Sequence, residues 1–158
     1  MKKHAYLIMA HYNMKELERL MRCLDYELND LYLHIDIKAE NVNVEYLSRL
    51  VKKSKLVFLY RKNIIWGSES QIECEMELIK CALHGGEYSY LHLLSESDLP
   101  IKPQSIIHQF FDQNAGKEFI HFETVHLSGA DRNKIYRFYP FQKYIGNKKN
   151  MLYYLQNI

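Results

Sequence analysis

Two acidic side chains stand close together in the segment SESDLPIK, directly after a short apolar run. Glu96 and Asp98 are two residues apart there. Paired carboxylates of this kind can bind a hard divalent cation through their oxygens, or they can orient a sugar. The simpler interpretation is a solvated turn that Ser97 and Pro100 only shape. The spacing alone leaves both interpretations open.

Three further residues lie where apolar runs end. Asp36 follows LYLHI, and its carboxylate can accept hydrogen bonds from ribose hydroxyls or from a base. Trp66 and Ser70 belong to IIWGSES, where the indole can lie against a ring and the free amides of a helix start can bind a phosphate. The corresponding structural interpretations are a solvated carboxylate, a core tryptophan and a helix-capping serine. His4, His34, His92, His108 and His121 fall inside predicted strands or a helix and are interpreted as packing residues.

Short apolar runs alternate with amphipathic stretches along the chain. The runs at 4–10, 31–35, 56–60, 88–94 and 118–122 predict strands. The stretches between them have apolar residues at helical spacing, and the pairs Asn13/Glu16 and Ser68/Gln71 are typical of capping boxes. This order predicts an α/β fold, with a mainly parallel sheet and helices on both faces. The aromatic segments 136–144 and 152–155 have no evident partner element.

A parallel sheet of this kind binds its ligands at the carboxyl ends of the strands. That rule selects the loops 10–13, 36–38, 65–70 and 95–100. The sequence has no GxGxxG, no Walker A loop, no HExxH and no GxSxG, which disfavours dinucleotide, P-loop, zinc and hydrolase sites.

Composition narrows the class of protein further. The chain has 158 residues and a net charge of +2, which disfavours nucleic acid as a partner. Three cysteines without CxxC spacing indicate free thiols of a reducing compartment. No apolar stretch approaches the length of a membrane span, so we expect a cytoplasmic protein, and peripheral association with the membrane stays open.

Several segments together resemble a known family. HAYLIMAHYN, LYLHIDIK, IIWGSESQIECEMELIKCAL, YLHLLSESDLPIKP and GKEFIHFE occur in the order found in the core-2/I-branching β-1,6-N-acetylglucosaminyltransferase family, which also includes the peptide O-xylosyltransferases. The resemblance covers residues 4–123, and anchor-free bacterial members of surface or capsular polysaccharide synthesis are the most similar.

The resemblance implies a GT-A-like (Rossmann-like) fold and inverting transfer of a sugar, such as N-acetylglucosamine, from a UDP-sugar to a hydroxyl of a glycan or lipid-linked glycan. It implies a nucleotide-sugar-binding domain at 1–123 and the start of an acceptor-side region at 124–158. The nucleotide-sugar contacts would come from Ala10, His11, Asn13, Asp36, Trp66 and Asp98, to which Ser70 is added as the phosphate candidate. Acceptor contacts would come from Glu123, Arg132 and Lys134.

The sequence departs from the family pattern in two ways. Glu96 stands where the family usually has glycine, which reopens the question of a divalent cation at Glu96 and Asp98, although the resemblance favours metal-independent transfer without a cofactor. The family's general base, a glutamate in an SPDE-like motif, and its diphosphate-binding cations have no counterpart here. Glu96, Asp98 and Glu123 are the remaining candidates for the base, so we expect a truncated enzyme that self-associates.

Two alternatives of other classes stay open. The chain can be a non-catalytic nucleotide-binding or assembly module of a polysaccharide-synthesis complex. It can also be an unrelated flavodoxin-like binder of nucleotide or flavin.

Overall fold

The computed structural model describes residues 2–119, 136, 138–146 and 148–156. Strands and helices alternate in the first part of this range, as the sequence predicts. The strands are β1 (His4–Ala10), β2 (Asn29–Ile35), β3 (Lys55–Phe58) and β4 (Tyr90–Ser95). The helices are α1 (Met14–Leu24), α2 (Val44–Leu50), α3 (Glu69–Gly85), α4 (Gln104–Gln113), α5 (Gln142–Ile145) and α6 (Met151–Gln156).

The four strands form one sheet in the order β3-β2-β1-β4. Every neighbouring pair is parallel, with His4 opposite Asn29 on one side and Tyr90 on the other. The predicted α/β class and parallel sheet are therefore confirmed. β1 and β2 occupy the centre, and almost every residue in them is buried, which explains why they read as continuous apolar runs.

Helices cover both faces of the sheet, because alternate side chains of a strand point to opposite faces. One face carries Ile8, Leu31 and Leu33, which pack with the buried stripes of α1 and α2. The other face carries Leu7 and Tyr32, which pack with Cys74, Leu78 and Ala82 of α3. Two separate apolar cores thus hold the strand ends in place from above and below.

Helix starts agree with the capping residues in the sequence. The side-chain oxygen of Asn13 accepts a hydrogen bond from the amide of Glu16 at 3.4 Å. Ser68 caps α3 through the amide of Ser70, whereas the predicted partner Gln71 reaches instead to the amide of Gly67. Ser68 therefore caps α3, but neither of the two reciprocal capping-box bonds between Ser68 and Gln71 is formed.

The end of the chain corrects one expectation and leaves two untested. α5 packs on the loop after β3: Ile145 is buried, and Gln142 Nε2 donates a hydrogen bond to the carbonyl of Trp66 at 3.2 Å. Part of the aromatic tail thus has a partner that the sequence did not reveal. The predicted strand at 118–122 is not formed at 118 and 119, and its other residues lie outside the described part, as does the predicted boundary at residue 123.

No helix in the described part of the chain is both long enough and apolar enough to cross a membrane.

Candidate functional site

A cleft of about 710 Å³ opens at the carboxyl edge of the sheet. All four strands contribute to it through their ends or through the loops that follow, as the strand-end rule predicts. α5 and the residues after it close the cleft from one side. Its lining includes Ala10, His11, Asp36, Lys38, Trp66, Lys143 and Lys148.

Asp36 lies at the base of the cleft and is only 2% exposed. Its carboxylate accepts hydrogen bonds from the amides of Lys38 (2.8 Å) and Ile64 (3.1 Å), and Lys38 Nζ lies 3.1 Å from Oδ2. The carboxylate therefore joins the loops after β2 and β3. A carboxylate offers about four lone-pair positions, three of which face these donors, and a contact with a ligand hydroxyl stays a prediction.

Lys38 was not singled out from the sequence as a binding residue, although its loop was. Its ammonium group contacts Asp36, Asn63 Oδ1 at 3.0 Å and the carbonyl of Ile64. Two of these contacts are hydrogen bonds, to Asn63 and Ile64, and the third is an ion pair with Asp36. Lys38 thus neutralises Asp36 and fixes the loop, and its contribution to the cleft is mainly one of shape.

Trp66 is 67% exposed and lines the cleft. The core interpretation of this tryptophan is therefore wrong, and a large flat surface is available to a ring. Gly67 follows it with a positive φ of 72°, and a Cβ there would lie 3.0 Å from Gln142 Nε2. Glycine at this position lets α5 approach the tryptophan loop closely.

Ser70 has its hydroxyl engaged within the tryptophan loop. The oxygen accepts a hydrogen bond from the amide of Ile65 at 2.9 Å and lies 2.7 Å from the hydroxyl of Ser68. Ser70 is also absent from the lining of the cleft. Its described contacts support the structure of the loop, and a contact with phosphate stays a prediction.

His11 and Glu96 form a pair that connects the loops after β1 and β4. His11 Nδ1 lies 2.9 Å from Oε1 and 3.0 Å from Oε2 of Glu96, and the amide of Tyr12 donates to Oε1 at 3.3 Å. Glu96 is buried, with 4% exposure, whereas the side chain of His11 is half exposed and lines the cleft. The imidazole therefore stands between the carboxylate and the cleft.

Asp98 is exposed and turns back on its own loop. Its Oδ2 accepts hydrogen bonds from the amide and the hydroxyl of Ser95, at 2.6 and 3.0 Å. Glu96 and Asp98 thus have separate partners. Within the described residues, no group of three or more His, Cys, Asp or Glu side chains is arranged to hold a metal ion.

Two lysines from the last described segments line the cleft, and no pattern in the sequence indicates their position. Lys143 lies in α5 and Lys148 follows it, both exposed. Lys143 Nζ is 5.0 Å from the ring centre of Tyr144, which also lines the cleft. Their positive charge faces the same space as Trp66. Only the docking of α5 brings these residues to the strand ends, and no local pattern encodes that docking.

The remaining predicted site residues divide into two groups. Asn13 caps α1 and does not line the cleft, although its neighbour His11 does. Glu123, Arg132 and Lys134 lie outside the described residues, so their predicted contacts with an acceptor stay predictions.

His34 is buried in the floor of the cleft, where Nε2 accepts a hydrogen bond from the amide of Lys62 at 3.0 Å. Burial lowers the pKa of its imidazole. His34 is therefore a neutral part of the cleft floor, and within the described residues its Nδ1 has no hydrogen-bond partner.

Three other histidines form a cluster at the opposite end of the sheet, beneath α4, in which His4 and His108 are buried and His92 is half-buried. His4 stacks on His108 with ring centres 3.9 Å apart, and His4 Nδ1 lies 3.1 Å from His92 Nε2. Burial lowers the pKa of His4 to about 3 and that of His92 to about 4, and it also lowers the pKa of His108. The burial of His4 and His108 agrees with a packing role, but within the described residues His4 Nε2 and His108 Nδ1 have no hydrogen-bond partner. His121 lies outside the described part.

Fold and site together define an α/β domain with a ligand cleft at the carboxyl edge of a parallel sheet. The family model described as core-2/I-branching enzyme matches residues 4–156. The chain therefore belongs to the core-2/I-branching enzyme family, and the resemblance seen in the sequence is confirmed.

The comparisons with solved structures and with curated protein sequences give no finer assignment than the family. The crystal structure of S. aureus TarS is similar to this chain with 16% sequence identity and a TM-score of 0.45, over 72% of this chain and 20% of that chain. This chain thus spans about a fifth of the length of TarS. No curated protein sequence matches the chain significantly.

Proposed function

We propose that the cleft binds the nucleoside diphosphate part of a UDP-sugar, and that the chain forms the donor side of an inverting glycosyltransferase. The proposed donor carries N-acetylglucosamine. The proposed acceptor is a glycan or a lipid-linked glycan of surface or capsular polysaccharide synthesis. Membership of the core-2/I-branching enzyme family supports the transferase class. The finer assignments rest on the resemblance and on the chemistry of the cleft.

The observation that carries the proposal is the pairing of an exposed aromatic surface with positive charge in one cleft. The indole of Trp66 is two-thirds exposed there, and Lys143 and Lys148 line the same space. A nucleobase can stack on an aromatic side chain with a gain of about 1–3 kcal/mol. Ammonium groups suit a diphosphate, which they bind as point charges.

The same charges have a role in the proposed reaction. In inverting transfer the acceptor hydroxyl attacks the anomeric carbon while the bond to the diphosphate breaks. Donors aimed at the leaving group stabilise the charge that develops on it. Lys143 and Lys148 are the free cations of the described cleft that can do this, because Lys38 is already occupied by three acceptors.

Ligand-dependent thermal stabilisation tests the proposal. UDP at a hundredfold excess over Kd should stabilise the chain by about 2.7 kcal/mol. Trp66→Ala should weaken UDP binding about tenfold or more, which corresponds to 1.4 kcal/mol of lost stacking. Tyr60→Ala is the matched control, because Tyr60 is an exposed aromatic residue near β3 that does not line the cleft.

A second pair of variants tests the positive charges. Lys148→Ala should weaken binding of UDP more than binding of uridine, since only UDP carries the diphosphate. Lys149→Ala is the control, because Lys149 is exposed next to it but lies outside the cleft. A melting temperature unchanged by millimolar UDP in the folded wild-type chain would refute the proposal.

One observation favours a second function, that of an assembly module. Tyr136, Phe138, Met151 and Tyr154 are all more than 60% exposed. Single exposed apolar residues are ordinary and a contiguous patch marks an interface, so this alternative requires the four side chains to form one patch. A chain that binds no UDP yet forms a stable complex with another protein of polysaccharide synthesis would favour this alternative.

A further inference from the structure

The pair formed by His11 and Glu96 fixes which nitrogen of the imidazole faces the cleft. A carboxylate has no hydrogen to donate, so the hydrogen in the bond of 3.0 Å to Oε2 belongs to His11 Nδ1. In the neutral imidazole the other nitrogen, Nε2, then carries a free lone pair. Among the residues that the structure describes, Nε2 of His11 has no hydrogen-bond partner.

Burial makes this arrangement specific rather than incidental. Glu96 is 4% exposed, and its oxygens are already held by the amide of Tyr12 and by His11. The carboxylate cannot turn toward the cleft without leaving that amide unpaired. Glu96 therefore acts on a ligand only through His11, and its structural position is that of a positioning residue.

We infer that His11 is the hydrogen-bond acceptor for the nucleotide in the cleft, and that Glu96 is the residue that makes it an acceptor. The ligand must present a hydrogen-bond donor to Nε2. In a uridine nucleotide this donor is either the imide N–H of the base or a ribose hydroxyl. The inference rests on the proposed function and adds to it a residue that sets specificity.

Glu96→Gln is the sharpest test, because Tyr12 dictates how the new amide must turn. The amide of Tyr12 needs an oxygen, so the glutamine oxygen takes the place of Oε1 and its NH2 group faces His11 Nδ1. Two facing hydrogens repel, so the imidazole hydrogen moves from Nδ1 to Nε2. The variant should therefore present a donor to the cleft where the wild type presents an acceptor.

The first measurement is the tautomer itself, by nitrogen NMR of the imidazole rings in the free protein. The signals of His11 are identified by their absence in His11→Phe. In the wild type the hydrogen should be on Nδ1, and in Glu96→Gln it should be on Nε2. Glu45→Gln is the matched control, because Glu45 is exposed and lies far from the cleft lining.

The second measurement is the affinity for UDP-N-acetylglucosamine, whose diphosphate diester does not titrate near neutral pH. At pH 8, Glu96→Gln and His11→Phe should each bind about tenfold more weakly than the wild type, the cost of one hydrogen bond. Since His11 is half exposed, His11→Phe should fold even if Glu96→Gln does not. Glu45→Gln should bind like the wild type.

Analogues separate the two sources of the donor. If the base supplies it, the wild type should prefer UDP to CDP about tenfold, and His11→Phe should not. If the ribose supplies it, UDP and CDP should bind alike and 2′- or 3′-deoxy-UDP should bind more weakly.

Two results would overturn the inference. They are an imidazole hydrogen on Nε2 in the wild type and a His11→Phe variant that binds like the wild type. The last result leaves the proposed function standing, because the wild type still binds. A folded wild type that binds no UDP-sugar at all refutes the proposed function as well.

Discussion

The two ends of the central strand β1 use the same kinds of side chain for different purposes. At its amino end, His4 is enclosed with His92 and His108, and the neighbouring Asn29 and Gln104 bond to each other. At its carboxyl end, His11 has one nitrogen on a buried carboxylate and its other edge toward an open cleft. Histidine occurs at both ends, but only the ring of His11 is open to the cleft.

This difference shows what distinguishes a packing histidine from a ligand-binding one. In the amino-end cluster, burial favours the neutral form of each ring, so the cluster stabilises the fold only while it is uncharged. In the cleft, the half-exposed ring keeps access to solvent and to a ligand. Changes at the first end should therefore alter stability, and changes at the second should alter binding.

The largest effect should come from acid, through the buried histidines. Their folded pKa values lie below the ordinary value of 6.5, so the unfolded state binds more protons between pH 6.5 and about 3. The free energy of unfolding should fall as the pH is lowered through this window, by about 1.4 kcal/mol per pH unit for each extra proton. Urea unfolding at pH 7, 6, 5 and 4 measures this slope.

Two variants assign that slope to the cluster. His92→Phe removes one titrating group and should make the slope shallower, whereas His84→Phe should not, because His84 is exposed at the end of α3. Burial raises the pKa of Asp25, but hydrogen bonds from the amides of Ser54, Lys52 and Lys53 outweigh that effect and leave it below 3.8. Asp25 thus adds little to the slope above pH 4, because its stabilising contribution is largely present there and is lost as the pH falls further. Stability that is constant from pH 7 to pH 4 would contradict the account of the cluster.

The second largest effect should come from Asp36→Ala. This variant tests whether the cleft end of the sheet serves binding alone or contributes to stability as well. The amides of Lys38 and Ile64 would lose their acceptor, at a cost of about 3 kcal/mol of unfolding free energy. UDP binding should weaken as well, because the loops after β2 and β3 line the cleft. Asp112→Ala, at an exposed aspartate of α4, should change neither quantity, and a fully stable Asp36→Ala variant would show that the carboxylate serves the ligand alone.

The smallest effect should come from divalent cations. Asp98 is bound to Ser95, and Glu96 to His11 and Tyr12, so the two carboxylates do not present a shared set of oxygens. Calorimetry should therefore give UDP affinities within about threefold with magnesium, with manganese and with a chelator, well below the tenfold that 1.4 kcal/mol produces. A tenfold gain with manganese that Asp98→Asn abolishes would instead establish a metal site.

The sequence predicts the sheet well because its central strands are buried on both faces and therefore read as uninterrupted apolar runs. The strand-end rule then leads directly to His11, Asp36 and Trp66, which do line the cleft. What the sequence cannot predict is the choice of partner for each polar group. Glu96 and Asp98 look alike in SESDLPIK, yet one is buried against an imidazole and the other is exposed on a turn.

Lys143 and Lys148 illustrate a second limit of sequence analysis. α5 has four residues, too few for a periodic apolar face, and its position depends on the burial of Ile145 and on contacts between Gln142 and the tryptophan loop. Contacts between segments so distant in the chain leave no local pattern. The charge of the cleft therefore becomes visible only in the folded chain.

The strand order also has a consequence for the chain during synthesis. β1 pairs with β2, which follows it closely, and with β4, whose last paired residue is Ser95. At a translation rate of about 5–20 residues per second, β4 emerges several seconds after β2. During that interval one edge of the most apolar strand has no neighbour, and exposed strand edges of this kind attract other chains. The nascent chain should therefore need a chaperone most between the synthesis of β2 and that of β4.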